Sequence, residues 1–273
     1  MTSLREKLAD RRPVYGVWCS LASSICAEIV AGTGYDWMLL DLEHAPGTSL
    51  TLLHQLQAAA AFPVTPLVRV PVLERSWCAW ALDLGAGGLM FPNVEDAPQA
   101  ARAVASMRYP PAGVRGVGAS SRAGNYGRDF ARYSAESGER LVAVVQIESA
   151  PALECCREIA AVDGVDVLFA GPADLGANLG MPERFASPRF LDALRRIADA
   201  ALGNGKAAGI LLPSPELVPP LRDMGYTFIG VGSDSALLAR SLTESLRAAT
   251  AGPCMKRGVG GDQREIRRHP CHE

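Results

Sequence analysis

The residues able to do chemistry gather in a few short segments: Asp41-Leu42-Glu43-His44, the neighbourhood of Arg69, Gln146-Ile147-Glu148 and Gly171-Pro172-Ala173-Asp174. Gln146 and Glu148 alternate around Ile147, so in an extended chain both point to one side. Glu148 and Asp174 form a carboxylate pair with no cysteine or second histidine nearby. Such a pair suits a hard divalent cation, Mg2+ or Mn2+, better than a structural zinc, and leaves positions open for water and substrate oxygens. Arg69 is a fork-shaped cation fitted to a carboxylate or a developing oxyanion. His44 is the natural proton shuttle, since His54 falls in a helical stretch and His269 and His272 lie at the far end of the chain. The amides of the Gly171–Asp174 turn are placed to hold a substrate carboxylate.

Elements must bring these residues together, and the periodicity supplies them. Short apolar runs at 15–21, 37–42, 65–70, 88–91, 141–147, 165–170, 208–212 and 228–231 read as strands. Helical stretches at about 23–33, 49–60, 74–84, 96–106, 150–160, 188–203, 215–224 and 234–250 alternate with them, several opening on a capping residue such as Ser23, Ser149 or Asp234. Eight βα units in a chain of this size predict an α/β fold, a single-domain (β/α)8 TIM barrel over residues 1–251. A doubly wound open sheet would usually need fewer strands. In a barrel, chemistry sits at the carboxyl ends of the strands, where all of the segments above fall. Polar groups there are costly to bury unless they are paired or bind something, so their convergence predicts a catalytic site.

The chain has 273 residues, 48% of them hydrophobic and 21% charged, with a formal net charge of −2. That is ample for one large core and gives no basic surplus pointing to nucleic acid. No apolar run is long enough to span a membrane and the start lacks the apolar segment of a secretory signal. The seven cysteines are scattered, with no C-x-x-C pair, which predicts reduced thiols and a cytoplasmic protein. Residues 108–129 form a long Gly- and Pro-rich interruption carrying Arg108, Arg115, Arg122 and Arg128. It reads equally as an anion-binding lid or as a surface loop against another subunit. Residues 252–273 lose all periodicity and read as a disordered tail, whose His269, Cys271 and His272 are too crowded for a metal site.

Lysine is scarce, and the scarcity is informative. A Schiff-base route needs a buried lysine at the active face. Lys7 precedes the first strand, Lys206 precedes the seventh and Lys256 lies in the tail, so none is placed for it. A barrel of this kind acting on an oxo acid needs a metal ion to stabilise the enolate.

Together the segments resemble the HpcH/HpaI family of class II pyruvate aldolases, most closely its 4-hydroxy-2-oxoheptanedioate aldolase branch. The resemblance spans about residues 4–250 and rests on Gly16-Val17-Trp18, Gly34-Tyr35-Asp36-Trp37, 41–46, 108–118, Gln146-Ile147-Glu148 and 171–175. It implies an aldehyde-lyase that reversibly cleaves a 4-hydroxy-2-oxo acid to pyruvate and an aldehyde, using Mg2+, Mn2+ or Co2+. It further implies that His44 exchanges the proton of the 4-hydroxyl, that Arg69 stabilises the transition state, and that Glu148 and Asp174 hold the metal. Gln146, Ala173 and Asp174 would contact the oxo acid, and Leu211 is counted with the substrate-binding residues. Asp83 matches a family aspartate that raises the basicity of the histidine. It falls at the end of a helix on the face away from the chemistry, so that role requires a neighbouring subunit of a homo-oligomer, a hexamer in the family. Asp41 is the alternative partner within the chain.

Competing readings are an oxaloacetate decarboxylase or macrophomate-synthase-like enzyme sharing the same enolate, and an acyl-CoA lyase like the citrate-lyase relatives. The last would need a nucleotide-binding surface that the sequence does not display. A barrel that only binds an oxo acid is the non-catalytic alternative; binding without turnover would mark it. The aldehyde partner and the metal used are left open by the sequence.

Overall fold

In the computed structural model, which describes residues 2–250, parallel strands close into a barrel. They are β1 (Val14–Cys19), β2 (Trp37–Asp41), β3 (Thr65–Arg69), β4 (Gly88–Phe91), β5 (Val142–Ile147), β6 (Val167–Ala170), β7 (Ala207–Leu212) and β8 (Tyr226–Ser233), with β8 pairing back onto β1. Nearly every strand residue is buried, as expected when a parallel sheet is covered on both faces. The expected (β/α)8 architecture is the observed one. The compact unit extends to Leu237. From Leu238 the last helix (Asp234–Thr250) continues with Leu238, Leu242 and Leu246 exposed on one stripe. The proposed tail, with Lys256, Cys254, His269, Cys271 and His272, lies outside the described residues. Among those described, the five cysteines are free and no helix is long and apolar enough to cross a membrane.

Two apolar layers hold the barrel. One lies between strands and helices; the other fills the barrel interior. The interior is an aromatic plug: Trp37 stacks on Phe228 with centroids 4.2 Å apart, and Trp18 leans on Phe169 at 5.4 Å. Gly16 makes room for it, because a Cβ there would collide with the Trp37 indole. The plug is the floor on which the mouth is built.

Local structure departs from the sequence expectation at identifiable places. The helices Leu4–Ala9, Phe130–Arg140 and Pro172–Asn178 were not anticipated. Phe130–Arg140 buries only Ser137, so it lacks the apolar stripe that a periodicity reading needs. The stretch at 150–160 is two short helices, Ala150–Glu154 and Cys156–Ala160, broken at Cys155. Ser23 and Ser149 cap as expected, each worth about 1 kcal/mol. Asp234 does something else: its carboxylate accepts from the amides of Ser20 (2.9 Å) and Leu21 (3.2 Å), tying the end of β8 to the loop after β1.

The loop at 108–129 is the main correction. Its arginines are spent on the chain itself. Arg108 pairs with Asp163 at 2.9 Å, Arg122 donates to the Leu84 carbonyl at 2.7 Å, and Arg128 donates to Asn125 at 3.2 Å. Arg115 is fully buried, paired with Asp83 at 2.7 Å and stacked over the Tyr109 ring at 4.5 Å. Asp83, Leu84 and Asp163 all lie where helices lead into strands. Arg108, Arg115 and Arg122 therefore anchor the loop at the amino-terminal face of its own barrel, opposite the mouth, whereas Arg128 is exposed and bonded only within the loop.

Candidate active site

The carboxyl ends of β2 to β6 deliver most of the expected residues to one mouth. Asp41 and Arg69 are the last residues of β2 and β3 and face each other in register. Arg69 Nε donates to Asp41 Oδ1 at 2.9 Å and Nη2 to Oδ2 at 2.6 Å. Its third contact is Nη1 to Glu43 Oε2 at 2.9 Å, and Trp18 lies 5.5 Å beneath the guanidinium. Burial alone would raise the Asp41 carboxyl, but the hydrogen bonds and charge of Arg69 outweigh it and hold that carboxyl below the usual range. Asp41 Oδ1 also accepts from the backbone amides of Glu43 (3.0 Å) and His44 (3.4 Å), which turns the chain sharply after β2. That turn leaves the His44 imidazole at the rim, 65% exposed.

Asp41 and Asp83 were the two partners expected for His44. Within the described residues the carboxylate within 4.0 Å of the imidazole nitrogens is Glu43, Oε2 to Nε2 at 3.9 Å. Asp41 is committed to Arg69, and Asp83 sits at the amino-terminal face with Arg115.

Across the mouth, Glu148 is buried just beyond β5 with both oxygens aimed. Oε1 accepts from the Asn93 amide at 2.7 Å and Oε2 from Gln146 Nε2 at 2.9 Å. Asn93 follows β4 and reaches Glu148 only because its backbone is left-handed, φ 54°. Sequence reasoning passed it over because β4 ends in no ionisable group. The one available signal was an asparagine straight after Pro92, a residue type that tolerates this conformation. Gly171 is equally needed: a Cβ there would lie 2.8 Å from Glu148 Oε2.

Asp174 and Ala173 are exposed in the first turn of Pro172–Asn178, a helix rather than the turn read from the sequence. Asn178 fastens that helix to the end of β5, its Nδ2 donating to the carbonyls of Glu148 (3.2 Å) and Asp174 (3.0 Å). Pro172 has no amide hydrogen, and the amides of Ala173 and Asp174 have no partner within the helix. Leu211, near the end of β7 beside β6, packs against the barrel-interior cluster.

Glu148 and Asp174 are hard oxygen donors of the kind a divalent cation takes, although among the described residues no cluster of three or more Asp, Glu, His or Cys side chains is gathered as a full ligand set. Burial pushes the Glu148 carboxyl up, and the neighbouring charges of Asp174 and Glu43 add to the shift. Asp41, Glu43, Glu148 and Asp174 bring four carboxylates to one mouth against the guanidinium of Arg69. The Gln146 side-chain oxygen is buried without a hydrogen-bond partner. Excess negative charge and an unpaired buried acceptor are both relieved by a cation with bound water. The two described lysines are not available for a Schiff base at this mouth: Lys7 pairs with Asp36 ahead of β2 at 2.6 Å, and Lys206 precedes β7.

Comparison with known proteins points the same way. Residues 14–241 match the family described as HpcH/HpaI aldolase/citrate lyase. The hydroxypyruvate/pyruvate aldolase of Deinococcus radiodurans is 44% identical over 243 residues, 88% of this chain and 86% of that protein. The 2-keto-3-deoxy-L-rhamnonate aldolase of Escherichia coli is 41% identical over 253 residues, 91% of this chain and 93% of that one. Among solved structures, an HpcH/HpaI aldolase/citrate lyase family protein from Burkholderia cenocepacia superimposes with a TM-score of 0.87 at 39% identity, covering 91% of this chain and 99% of the other. With its barrel, its mouth and these relatives in accord, the chain belongs to the HpcH/HpaI aldolase/citrate lyase family.

Proposed function

We propose that this chain is a class II aldolase, a carbon–carbon lyase that reversibly cleaves a 4-hydroxy-2-oxo acid to pyruvate and an aldehyde. The observation that carries the reading is Glu148, buried with both oxygens oriented beside Asp174 and across from a locked Arg69. The names of the relatives agree in aldol chemistry on 2-oxo acids and differ in the rest of the substrate.

Glu148 and Asp174 would hold Mg2+, Mn2+ or Co2+, which supplies Lewis acidity toward the 2-oxo group when bound. Gln146 and the free amides of Ala173 and Asp174 orient the oxo-acid end, and Leu211 lines the apolar side. His44, at the exposed rim where the longer part of the substrate enters, takes the 4-hydroxyl proton. The C3–C4 bond then breaks, and its electron pair passes to C3 and onto the 2-oxo oxygen. Arg69 donates hydrogen bonds to the negative charge that forms. The enolate then takes a proton at C3 from solvent and His44 gives up its own, which completes pyruvate; in condensation the enolate carbon attacks the aldehyde and His44 returns a proton to the new hydroxyl. Asp83 joins this scheme only as part of a neighbouring copy, which makes the working form a homo-oligomer; a hexamer is the state we assign.

The test is pyruvate release from a panel of 4-hydroxy-2-oxo acids, run beside oxaloacetate. His44→Ala and Arg69→Ala should collapse turnover with the fold intact. Full-rate cleavage after chelation, or pyruvate release from none of the panel, would overturn the reading.

A further inference from the structure

Glu43 has no part in the proposed aldol chemistry, yet it touches both His44 and Arg69. Its side chain is 15% exposed, just past β2. The same oxygen, Oε2, lies 2.9 Å from Arg69 Nη1 and 3.9 Å from His44 Nε2. The far edge of Arg69 is committed to Asp41, which fixes the plane of the guanidinium and leaves Nη1 facing Glu43. Two of the five guanidinium N–H bonds are donated to Asp41, and Glu43 faces Nη1 as an ion-pair partner, which leaves N–H groups of Nη1 and one of Nη2 for a substrate.

We propose that Glu43 is a positioning residue that couples His44 to Arg69, its Oε2 serving as counter-charge for whichever of the two needs it. With His44 neutral, Oε2 is drawn to Arg69. When the imidazole takes the substrate proton it becomes a second cation beside the same oxygen, and Arg69 Nη1 is released toward the oxyanion forming on the substrate. The proton moves from the hydroxyl to the imidazole in cleavage and from the imidazole to the new hydroxyl in condensation, and Glu43 stays ionised throughout, so charge balances at each stage. The identity of that proton and oxyanion rests on the aldolase reading. The surroundings favour the exchange. Burial raises the Glu43 carboxyl, the charges of Asp41 and Asp174 press the same way, and Arg69 and His44 oppose them. A half-buried carboxylate among other carboxylates gains from each cation brought near it.

Glu43→Gln is the test, because it keeps the size of the side chain beside Arg69 Nη1 and His44 while removing its charge. Turnover should fall about tenfold or more with KM within about threefold, the pattern of an interaction made only in the transition state. In a His44→Ala background the same change should cost less than about twofold, since residues acting as a unit are non-additive. Proton uptake by His44, followed by NMR and assigned by its absence in His44→Asn, should move to lower pH by roughly half a unit, as expected for an ion pair with one exposed partner. Glu43→Asp should recover part of the loss.

Turnover of Glu43→Gln within twofold of the parent overturns the inference, as does an equal loss with and without His44, or an unmoved NMR midpoint. Failure of the parent to release pyruvate from any 4-hydroxy-2-oxo acid sinks the aldolase reading instead. The coupling is then decided by the NMR midpoint, which needs no turnover.

Discussion

Asp41 and Arg69 close the ends of adjacent parallel strands and meet edge to edge through two parallel hydrogen bonds of 2.9 and 2.6 Å. Their side chains are 2% and 8% exposed, so the pair has left water almost completely. Breaking a buried pair from one side strands a charge and costs roughly 3–5 kcal/mol. Asp41→Ala should lose stability of that order in urea unfolding and lose turnover as severely as Arg69→Ala. A variant that stays stable with full activity would show that Arg69 is held by something other than Asp41.

The same pair dictates an acid limb of stability. Arg69 holds the Asp41 carboxyl below its ordinary value against the upward pull of burial. A depressed carboxyl contributes stability that is fully present above its unfolded value, about 4, and is lost as pH falls through the folded value. Urea unfolding of the parent and of Asp41→Asn should therefore differ most near neutral pH. The difference should shrink on acidification below about pH 4. A gap that stays constant down to pH 3 would contradict the assignment.

Asn93 tests whether backbone strain aims Glu148. Its left-handed conformation delivers an amide to Oε1 at 2.7 Å. Valine in that conformation costs about 1–2 kcal/mol, whereas glycine adopts it freely. Asn93→Gly should keep turnover within about threefold, and Asn93→Val should lose about tenfold or more in Mn2+ affinity, the usual cost of losing an outer partner of a ligand. Titration calorimetry on both variants decides it. Equal affinities would mean that the amide contributes nothing to Glu148.

The architecture was legible because strands covered on both faces need unbroken apolar runs, and 37–42 and 141–147 announce themselves that way. His44, Arg69, Gln146 and Glu148 were legible for a related reason: an ionisable or amide residue ending such a run stands out against it. What could not be read is carried by the backbone or by pairing between distant segments. Asn93 acts through an amide, which any residue but proline possesses. Gly171 acts by what it lacks. The arginines of 108–129 looked available because their partners, Asp83, Leu84 and Asp163, become neighbours only when the barrel closes. The partner of His44 shows the same limit: the sequence points to two aspartates, and within the chain it is the adjacent Glu43 that lies 3.9 Å from the imidazole.

Gly171 gives a steric test of the same ligand. A methyl there would sit 2.8 Å from Glu148 Oε2 and 3.0 Å from its Cβ, distances at which something must move. Backbone strain is not at issue, because φ is −90°. Gly171→Ala should therefore fold normally and lose metal affinity by about ten- to a hundredfold, as displaced ligands do. Wild-type affinity would mean that Glu148 can shift without consequence.

Whether a second copy completes the site can be decided by mixing variants. Asp83 lies at the amino-terminal face of its own barrel and pairs with the fully buried Arg115, so it cannot polarise the His44 of the same chain. If it acts in a neighbour, each site takes His44 from one copy and Asp83 from another. His44→Ala and Asp83→Asn are then each inactive alone. Co-refolded in equal amounts they should regain about a quarter of parental activity, because half the histidines and half the aspartates are intact and assort independently in a symmetric oligomer. Asp83→Asn also weakens the Arg115 anchor, so its unfolding midpoint must be measured beside its activity. A mixture no more active than its components would place the partner of His44 within its own chain, where Glu43 stands 3.9 Å away.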